Sequence, residues 1–224
     1  MTVTLIDTIV VPQGAEYQAV CRGLSRAQVQ GVRVIKIPIG SQNSFQILQK
    51  RDFWSVNSSK TLLIGLGGGL ASLHSVGDVL LYQSCSNLEH QQLTLVSELN
   101  QLIQAKIAPK LVPGLTSDRP VCLASEKIQL GQKYSAMAVD MESYGYIKVL
   151  QAQGITVAVV RVISDDLQGN IPDLSEAIDH RGNLKPKSMA IAFLQQPLAA
   201  LRLIKGSLQA LKVLEATTYQ LFLK

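Results

Sequence analysis

Ala138-Val139-Asp140-Met141-Glu142-Ser143 is the stretch that decides the fold class, read together with Arg161-Val162-Ile163-Ser164-Asp165 further along the chain. Each stretch contains an apolar run typical of a buried strand, and each delivers a carboxylate where that strand ends. In open α/β sheets, ligands bind just beyond the strand ends, so Glu142 and Asp165 are candidates for a polar site. One carboxylate of such a pair can hold a polar substrate while the other moves a proton.

These acids also have a structural interpretation. Asp140 can cap the helix predicted over residues 141–153, because a side-chain carboxylate accepts hydrogen bonds from the first free N–H groups of a helix. Asp165 can simply begin a loop. Taken singly, neither acid decides between structure and function. Together with the glycine-rich segment described below, they favour a functional site.

Strand and helix patterns alternate along the whole chain. Short apolar runs predict strands at residues 4–11, 32–39, 61–65, 78–82, 111–115, 136–139 and 156–163. Helices are predicted at residues 13–24, 45–50, 91–105 and 141–153, with a C-terminal helical tail over residues 187–224. The alternation predicts an α/β fold with three αβα layers, a mixed but mostly parallel central sheet, and one domain over residues 1–224.

Composition indicates a well-packed globular protein and excludes several other classes. Of 224 residues, 47% are hydrophobic and 17% are charged, which is typical of a chain with a substantial core. The N-terminus lacks the basic segment of a signal peptide, and no apolar run reaches the about 18 residues of a membrane span. Three scattered cysteines indicate buried thiols in a reducing cytoplasm, and no Cys or His spacing predicts a metal site.

The net charge of +5 owes much to the C-terminal segment. From residue 185 onward a single acid, Glu215, accompanies a set of basic residues: Lys185, Lys187, Arg202, Lys205, Lys212 and Lys224. Nucleic-acid sites interleave such charge with exposed aromatic residues, and that pattern is absent here, so no nucleic-acid partner is predicted. The basic tail is therefore either a solvated surface or a peripheral contact with an anionic membrane.

The predicted tail helix is not cleanly two-faced. Leu194, Leu201 and Leu208 fall on one line of it, and Lys205 and Lys212 border that line. Lysines in this position can extend towards lipid headgroups. The protein core or a neighbouring subunit can equally cover the leucines.

Residues 166–186 interrupt the regular pattern directly after Asp165. Their Gly, Pro, Asn and Asp content predicts irregular structure. A long loop beside a candidate site is often a lid, and a plain surface insertion is the alternative.

A glycine-rich segment, Gly65-Leu66-Gly67-Gly68-Gly69, follows the strand predicted at residues 61–65. Because Gly67 and Gly68 lack a Cβ, a ligand can approach their backbone N–H groups. The segment is neither a Walker loop nor a dinucleotide fingerprint, since the residues that those motifs need do not follow it. A tight turn without a ligand is the alternative.

Taken together, these motifs resemble those of the purine nucleoside phosphorylase and nucleosidase superfamily over nearly the whole chain. Residues 138–143 are similar to the family's V-(E/D)-M-E segment, and residues 160–165 to its R-x-I-S-D segment. The glycine-rich segment and Val76-Gly77-Asp78-Val79 fall in the family's order and spacing. The resemblance implies a nucleoside phosphorylase-like fold and a purine nucleoside as the substrate.

By this resemblance, three carboxylates take catalytic roles. Asp165 matches the acid that protonates or hydrogen-bonds N7 of the departing purine, and it has to carry or share a proton to do so. Glu142 matches the residue that holds the ribose hydroxyls. Glu16, which by itself only complements a helix dipole, matches the carboxylate that activates water in the hydrolytic members. Such roles suit a reaction that builds positive charge on the ribose and negative charge on the base.

Seven further positions match substrate contacts of the family: Gly67, Gly68, Pro120, Val121, Asp140, Met141 and Ser164. Ser164 supports the neighbouring acid, Met141 packs under the sugar, and Pro120 and Val121 fall where the purine stacks. The resemblance implies no cofactor, apart from phosphate as a co-substrate in the phosphorolytic members. It also implies a homo-oligomer.

Two departures from the family pattern leave the nucleophile open. The hydrolytic members usually have a serine where this chain has Leu66, which removes a hydroxyl and makes the pocket more apolar. The phosphorolytic members hold phosphate with arginines, and Glu16 and Gly77 stand at the matching places. Glu16 favours water as the nucleophile, and phosphate is the alternative.

The resemblance is strongest to the hopanoid-associated phosphorylases. They share A-V-D-M-E-S, R-V-I-S-D and a tail helix similar to Pro197-Leu198-Ala199-Ala200-Leu201. Their implied reaction removes adenine from adenosylhopane, a nucleoside with a bulky apolar 5′ substituent, and this requires access from a membrane surface. The alternatives are a methylthioadenosine/adenosylhomocysteine-type nucleosidase, a non-catalytic nucleoside-binding protein and a membrane-surface scaffold.

Overall fold

A computed structural model describes residues 6–40, 59–179, 183 and 185–223. In chain order the elements are β1 (Thr8–Pro12), α1 (Ala15–Arg26), β2 (Arg33–Ile37), β3 (Lys60–Gly69), β4 (Val79–Ser86), β5 (Gln92–Thr94), α2 (Glu98–Ile107), β6 (Lys110–Thr116), α3 (Ala124–Tyr134), β7 (Ala138–Asp140), α4 (Ser143–Ala152), β8 (Thr156–Asp165), a 3-10 turn (Ser175–Ala177), α5 (Pro186–Gln195) and α6 (Pro197–Phe222). The expected alternation of strands and helices is therefore present.

The strands form one mixed sheet in the order β2-β1-β3-β7-β6-β4-β5. β8 lies between β3 and β4, parallel to the first and antiparallel to the second. β7 runs antiparallel to β3 and parallel to β6, which in turn runs parallel to β4. The pairings β3-β7-β6-β4-β8 thus close into a ring, and the predicted α/β class with a mixed, mostly parallel sheet is confirmed.

The glycine-rich segment lies inside β3 and is not a turn, which corrects the prediction. β3 pairs with β8 along most of its length, and its last residues, Gly68 and Gly69, pair with Val139 and Ala138 of β7. The register of the β3–β8 pairing shifts between Gly67 and Gly68. Two neighbouring strands supply the hydrogen bonds that hold the glycines extended, and the local sequence does not reveal those partners.

The helix predicted over residues 91–105 is partly wrong. Residues Gln92–Thr94 form β5, which pairs with β4, and α2 begins only at Glu98. Ser97 caps α2 by accepting a hydrogen bond of 3.3 Å from the backbone N–H of Asn100. The helix predicted over residues 45–50 lies outside the described residues.

Apolar layers cover both faces of the sheet. On one face, Tyr146, Ile147 and Leu150 of α4 pack on the inward side chains of the strands. On the other face, α1, α2 and α6 contribute a second cluster that includes Ile103 and Leu214. The helices therefore leave the ends of the strands as the place where polar side chains gather.

The C-terminal segment contains two helices, α5 and α6, where the sequence predicted a helical tail. α6 packs against α1, and Gly23 allows the close approach, since a Cβ on Gly23 would lie 2.6 Å from the carbonyl oxygen of Glu215. Among the described residues, no helix combines the length and the apolar character needed to cross a bilayer. Cys21, Cys85 and Cys122 are all free thiols.

Candidate active site

Three strand ends bring their polar residues to one region. Thr116 at the end of β6 pairs in register with Asp140 at the end of β7. On the other side, Gly68 of β3 pairs with both Val139 of β7 and Asp165 of β8. Asp165 and Val139, the residue before Asp140, therefore flank Gly68 on its two sides.

Arg161 is the centre of a buried charge cluster beneath these strand ends. It lies on β8 with none of its surface exposed. Its Nε donates to Oδ2 of Asp140 at 3.1 Å, and its Nη2 donates to Oγ of Ser143 at 2.9 Å. The same Nη2 lies 3.5 Å from Oε2 of Glu142. A buried guanidinium needs such partners, because the desolvation of an unpaired charge costs several kcal/mol, as a rough figure.

Asp140 has both carboxylate oxygens occupied. Its Oδ1 accepts hydrogen bonds from Oγ1 of Thr116 and from the backbone N–H groups of Glu142 and Ser143, at 2.9, 3.1 and 2.9 Å. Burial acts to raise the pKa of Asp140, but Arg161 and the hydrogen bonds outweigh burial and hold the pKa below its ordinary value. Asp140 thus caps the start of α4, as its structural interpretation predicted, and it also orients Arg161. Its direct contact with substrate stays a prediction.

Glu142 is buried between Arg161 and the loop after β2. Its Oε1 accepts a hydrogen bond of 2.9 Å from the backbone N–H of Gly40. Burial raises the pKa of Glu142, although Arg161 acts in the opposite direction. Met141 lies beside it, with its Cε 3.7 Å from the position that a Cβ on Gly40 would take. The carboxylate and the methionine thus lie together beside Gly40, and their role in binding a sugar stays a prediction.

Glu16 reaches from the first turn of α1 to β3. Its Oε2 accepts a hydrogen bond of 2.6 Å from the backbone N–H of Leu66. Burial raises the pKa of Glu16 to about 7, against the opposing effect of Arg161. A Cβ on Gly65 would lie 2.5 Å from Oε2 of Glu16 and 2.5 Å from Nη1 of Arg161. Both groups therefore lie so close to Gly65 that any side chain at this position would clash with them.

Arg161 has one guanidinium nitrogen that its neighbours do not use. Its Nη1 is buried and makes no hydrogen bond to the described residues. A buried donor without a partner is costly unless a ligand or a water occupies the place beside it. The unpartnered Nη1 of Arg161 is therefore a donor that a small polar molecule can use, with the Glu16 carboxylate close by as an acceptor.

Asp165 lies at the end of β8 with 12% of its side chain exposed. Oγ of Ser164 donates to its Oδ1 at 2.7 Å, and Nζ of Lys127 forms an ion pair with its Oδ2. Lys127 lies on α3 and has none of its side chain exposed. Its Nζ also lies 3.4 Å from the carbonyl oxygen of Asp166. Asp165 is therefore held as an acceptor beside a buried ammonium group.

Sequence reasoning missed the roles of Arg161 and Lys127. Arg161 lies on the same face of β8 as the buried apolar residues Val159 and Ile163. A single charged residue in that alternating pattern indicates a buried charge with a partner. Lys127 lies on the same face of its helix as Leu130 and Tyr134, which pack on the core. A single charged residue on that apolar face was also a sign of a buried ion pair.

The other predicted contact residues lie beside Asp165 or in the loop before α3. The carbonyl oxygen of Gly67 accepts a hydrogen bond of 3.3 Å from Oγ of Ser164. A Cβ on Gly68 would lie 3.1 Å from Oδ2 of Asp165. Val121 is buried against Val139. These contacts place Gly67 and Gly68 next to the carboxylate.

The loop of Pro120 borders the segment after β8. The backbone N–H of Ile171 donates to the carbonyl oxygen of Cys122 at 3.0 Å, and Oδ1 of Asn170 accepts from the N–H of Ala124 at 2.9 Å. The irregular segment predicted over residues 166–186 is thus attached to the loop in which the purine was expected to stack.

The structure shows the surroundings of Leu66 and Gly77, two of the residues that depart from the family pattern. Leu66 packs its side chain against the core cluster beneath α1 and α6, while its backbone holds Glu16. Gly77 has φ +95° and donates its N–H to the carbonyl oxygen of Ile163 at 2.8 Å. Within the described part of the chain, no group of three His, Cys, Asp or Glu side chains could hold a metal ion.

Comparison with solved structures relates the fold to that of several nucleosidases and a futalosine hydrolase. Futalosine hydrolase of Helicobacter pylori matches with a TM-score of 0.65 and 16% identity, over 95% of this chain and 97% of that one. The 5′-methylthioadenosine/S-adenosylhomocysteine nucleosidase of the same organism, bound to butyl-thio-DADMe-Immucillin-A, matches with a TM-score of 0.64 and 16% identity, over 95% and 97% of the two chains.

This is the nucleosidase fold. The 5′-methylthioadenosine/S-adenosylhomocysteine nucleosidase of Campylobacter jejuni shares it, with a TM-score of 0.60 and 14% identity over 94% of this chain and 99% of that one. At these identities the likeness to nucleosidases establishes the architecture and not the activity. No protein-family model and no curated protein sequence matches the chain.

Proposed function

We propose that the protein is an enzyme that hydrolyses the N-glycosidic bond of a purine nucleoside and releases adenine. The observation that carries this proposal is that the Glu16 carboxylate and the unpartnered Nη1 of Arg161 both lie directly beside Gly65. A water molecule that reaches both groups can donate to the Glu16 carboxylate and accept from Arg161. A base with a pKa of about 7 is half ionised near neutrality, which suits general base catalysis.

The charge balance favours water over phosphate as the nucleophile. Three carboxylates, of Glu16, Asp140 and Glu142, surround the single guanidinium of Arg161 in the described part of the site. Two hydrogen bonds of Arg161 are already directed to Asp140 and Ser143. A phosphate dianion would have to displace or overcome these negative charges, whereas a neutral water does not.

The same charges suit the transition state of N-glycosidic cleavage. Positive charge builds on the ribose, and carboxylates nearby stabilise it electrostatically. We propose that Glu142 binds the ribose hydroxyls and that Met141 packs on the sugar, which their joint position beside Gly40 supports. We propose that Asp165 interacts with N7 of the departing purine, and its hydrogen bond from Ser164 supports this role. The loop of Pro120 and Val121 and the backbone of Gly67 and Gly68 complete the proposed base site.

For the 5′ substituent we propose a bulky apolar group, such as that of adenosylhopane. The exposed face of α5 and α6 supports this choice, because a lipid-like substrate has to be taken from a bilayer. Leu194, Leu201 and Leu208 are 82%, 64% and 56% exposed, an unusual exposure for large apolar side chains. An apolar depression between α5 and α6, lined by residues such as Phe193 and Pro197, adjoins them.

We propose that this face contacts an anionic membrane surface. Arg202, Lys205 and Lys212 are exposed on α6 beside the leucines, and their charge complements lipid headgroups. A second copy of the chain is the competing occupant, since a homo-oligomer is expected from the resemblance. The solution mass and the binding to vesicles distinguish the two.

A small 5′ substituent is the second candidate. Two of the structural neighbours are methylthioadenosine/adenosylhomocysteine nucleosidases, and one is a futalosine hydrolase. A chain with the same fold can therefore accommodate a compact 5′ group. A non-catalytic nucleoside-binding role is less well supported, because a binding protein does not need Glu16 beside an unpartnered guanidinium.

The test is adenine release from adenosylhopane and from methylthioadenosine, each with and without phosphate. Release from adenosylhopane alone, without phosphate, supports the full proposal. Release from methylthioadenosine alone identifies the small-substrate alternative, and dependence on phosphate contradicts hydrolysis. Binding of either nucleoside without any release would show a non-catalytic binding protein.

A further inference from the structure

Lys127 forms an unusual arrangement with Asp165 behind the proposed base site. Its side chain is completely buried, whereas its neighbour on α3, the apolar Ile128, is 43% exposed. Lysine usually extends its amine to water, and a buried ammonium requires a charged partner. The helix thus exposes an isoleucine and buries the adjacent lysine against Asp165, the reverse of what the polarity of the two side chains favours.

The geometry gives Lys127 a single route to a bound ligand. Its Nζ contacts Oδ2 of Asp165 and the carbonyl oxygen of Asp166, and it has no surface of its own. Asp165 is partly exposed and lies over Gly68, in the proposed base site. A proton that passes between Lys127 and a ligand therefore has to pass through Asp165.

We infer that Lys127 is the proton store for the departing purine and that Asp165 relays the proton. This inference rests on the proposed hydrolysis of a purine nucleoside. Such a residue acts through another one, so Lys127 is a positioning and proton-supplying residue and does not touch the substrate.

The step balances as follows. The C1′–N9 bond breaks, and its electron pair goes to the purine. The carboxylate of Asp165 receives a proton from the ammonium of Lys127, which becomes a neutral amine, and passes this proton to N7. Water bonds to C1′ and loses a proton to the carboxylate of Glu16. The purine leaves neutral, Glu16 releases its proton to solvent, and Lys127 regains a proton from solvent through the partly exposed Asp165.

The inference accounts for a difficulty of the sequence-based mechanism. Asp165 was expected to carry or share the proton itself, yet both of its oxygens are acceptors, one from Ser164 and one from Lys127. In this arrangement the proton is stored on the lysine, and the carboxylate transmits it when the purine arrives. General acid catalysis of this kind contributes about 10²–10⁴-fold to the rate.

The experiment compares two leaving groups on the same sugar in the Lys127→Met variant. One substrate is the nucleoside that the wild-type protein cleaves, and the other is the 4-nitrophenyl glycoside of the same sugar. Nitrophenolate leaves as a stable anion and needs no proton. We expect kcat for the nucleoside to fall about 10²–10⁴-fold, while kcat for the nitrophenyl glycoside changes less than about threefold.

Lys133→Met is the matched control, because Lys133 is exposed on the same helix and lies outside the site. It should leave both rates unchanged. An equal loss on both substrates in Lys127→Met, with the thermal unfolding midpoint preserved, would mean that Lys127 only supports the structure, and the inference would be wrong. Full purine release by this variant would also overturn it.

A second variant covers the case in which Lys127→Met does not fold. Lys127→Arg keeps a cation beside Asp165 but gives up its proton far less readily. The inference expects this variant to lose purine release and to retain nitrophenolate release, whereas a purely electrostatic ion pair predicts that both are retained. If wild-type protein cleaves neither substrate, the proposed function fails, and this result is distinct from any pattern among the variants.

Discussion

Arg161 and Asp140 form a buried ion pair that joins the middle of β8 to the end of β7, with Nε of the arginine 3.1 Å from Oδ2 of the aspartate. The pair lies between the two strands whose sequences first indicated a site. It neutralises one carboxylate of the cluster and leaves Glu16 and Glu142, whose pKa values are raised by burial, for chemistry. The ion pair therefore supports the fold and also determines which carboxylates of the site keep a raised pKa.

Loss of Arg161 should be severely destabilising. Arg161→Met leaves Asp140 buried without its cation, and breaking one partner of a buried ion pair costs about 3–5 kcal/mol. Urea denaturation should show this decrease in the free energy of unfolding. Arg119→Gln is the control, because its exposed pair with Glu126 should be worth about 1 kcal/mol or less. Equal decreases in the free energy of unfolding for the two substitutions would contradict the view that the buried ion pair of Arg161 stabilises the fold.

The pH dependence of hydrolysis should follow Glu16. If its carboxylate is the base, the ionised form is active, so kcat/KM should rise with pH and level off above the pKa of about 7. Glu16→Gln should lower the rate at neutral pH by about 10²-fold or more and remove this rise. A pH–rate profile of the wild type that is flat between acid and neutral conditions would exclude Glu16 as the base.

Glu16→Gln should also stabilise the folded protein above neutral pH. The pKa of Glu16 is higher in the folded protein, about 7, than its ordinary value of 4.5, so the folded state binds the proton more tightly. Stability associated with this group is fully present below pH 4.5 and is lost as the pH rises through 7. The amide avoids that loss, and we expect a gain of about 1–3 kcal/mol above neutrality.

The control for this stability measurement is Glu98→Gln. Glu98 is exposed in the first turn of α2, and its substitution should change the free energy of unfolding by at most about 0.5 kcal/mol. Denaturation curves at acid and alkaline pH decide the matter. A destabilised Glu16→Gln variant at alkaline pH would mean that the ionised carboxylate stabilises the fold, contrary to the expectation.

Gly65→Ala should remove activity by displacing the groups beside this glycine. The added methyl would lie 2.5 Å from both Arg161 Nη1 and Glu16 Oε2, so the two side chains have to move and the position of the base is lost. We expect a loss of about 10²-fold or more in kcat, in line with the contribution of a positioned base.

Gly69→Ala is the matched substitution in the same strand. Its Cβ would meet nothing closer than 3.6 Å, which is ordinary van der Waals contact, so activity should be preserved. Retention of full activity by Gly65→Ala would place the nucleophile elsewhere.

The membrane proposal predicts binding to anionic vesicles that depends on α6. Leu201→Gln combined with Lys205→Gln should abolish sedimentation with phosphatidylserine vesicles, because it removes both an apolar anchor and a cation of the exposed face. Activity on methylthioadenosine, if present, should be unaffected. The same double variant also reveals the competing occupant: a fall in solution mass instead of lost vesicle binding would assign the face to a second copy of the chain.

The sequence predicted the parts of the fold that depend on local pattern. The strands around Asp140 and Asp165 and the alternation of elements follow from apolar runs and turn residues. The strand Gln92–Thr94 did not follow, because its apolar spacing resembled that of the helix after it, although its partner β4 is close in the chain. The extended form of Gly65–Gly69 did not follow, because its hydrogen-bonding partners lie on strands distant in the chain. Pairing across such distances overrides the turn preference of glycine.

The candidate site was predictable in its acids and not in its cations. Glu142 and Asp165 stood out as carboxylates at the ends of two predicted strands, whereas Glu16 was identified only through the family resemblance. Arg161 and Lys127 stand within apolar patterns, and the partners of a buried charge become known only when the strands and α3 are assembled. The nucleophile, the base and the leaving-group site depend on those partners.

The closed ring of strands has a consequence for the order in which the molecule folds. β8, the last strand, inserts between β3 and β4, whose sequence separation from it is large, and no earlier pairing can close the ring. Contacts between distant parts of a chain form slowly because loop closure is entropically costly. Since β8 also carries Arg161 and Asp165, a nascent chain on the ribosome cannot assemble its charge cluster until this last strand has docked.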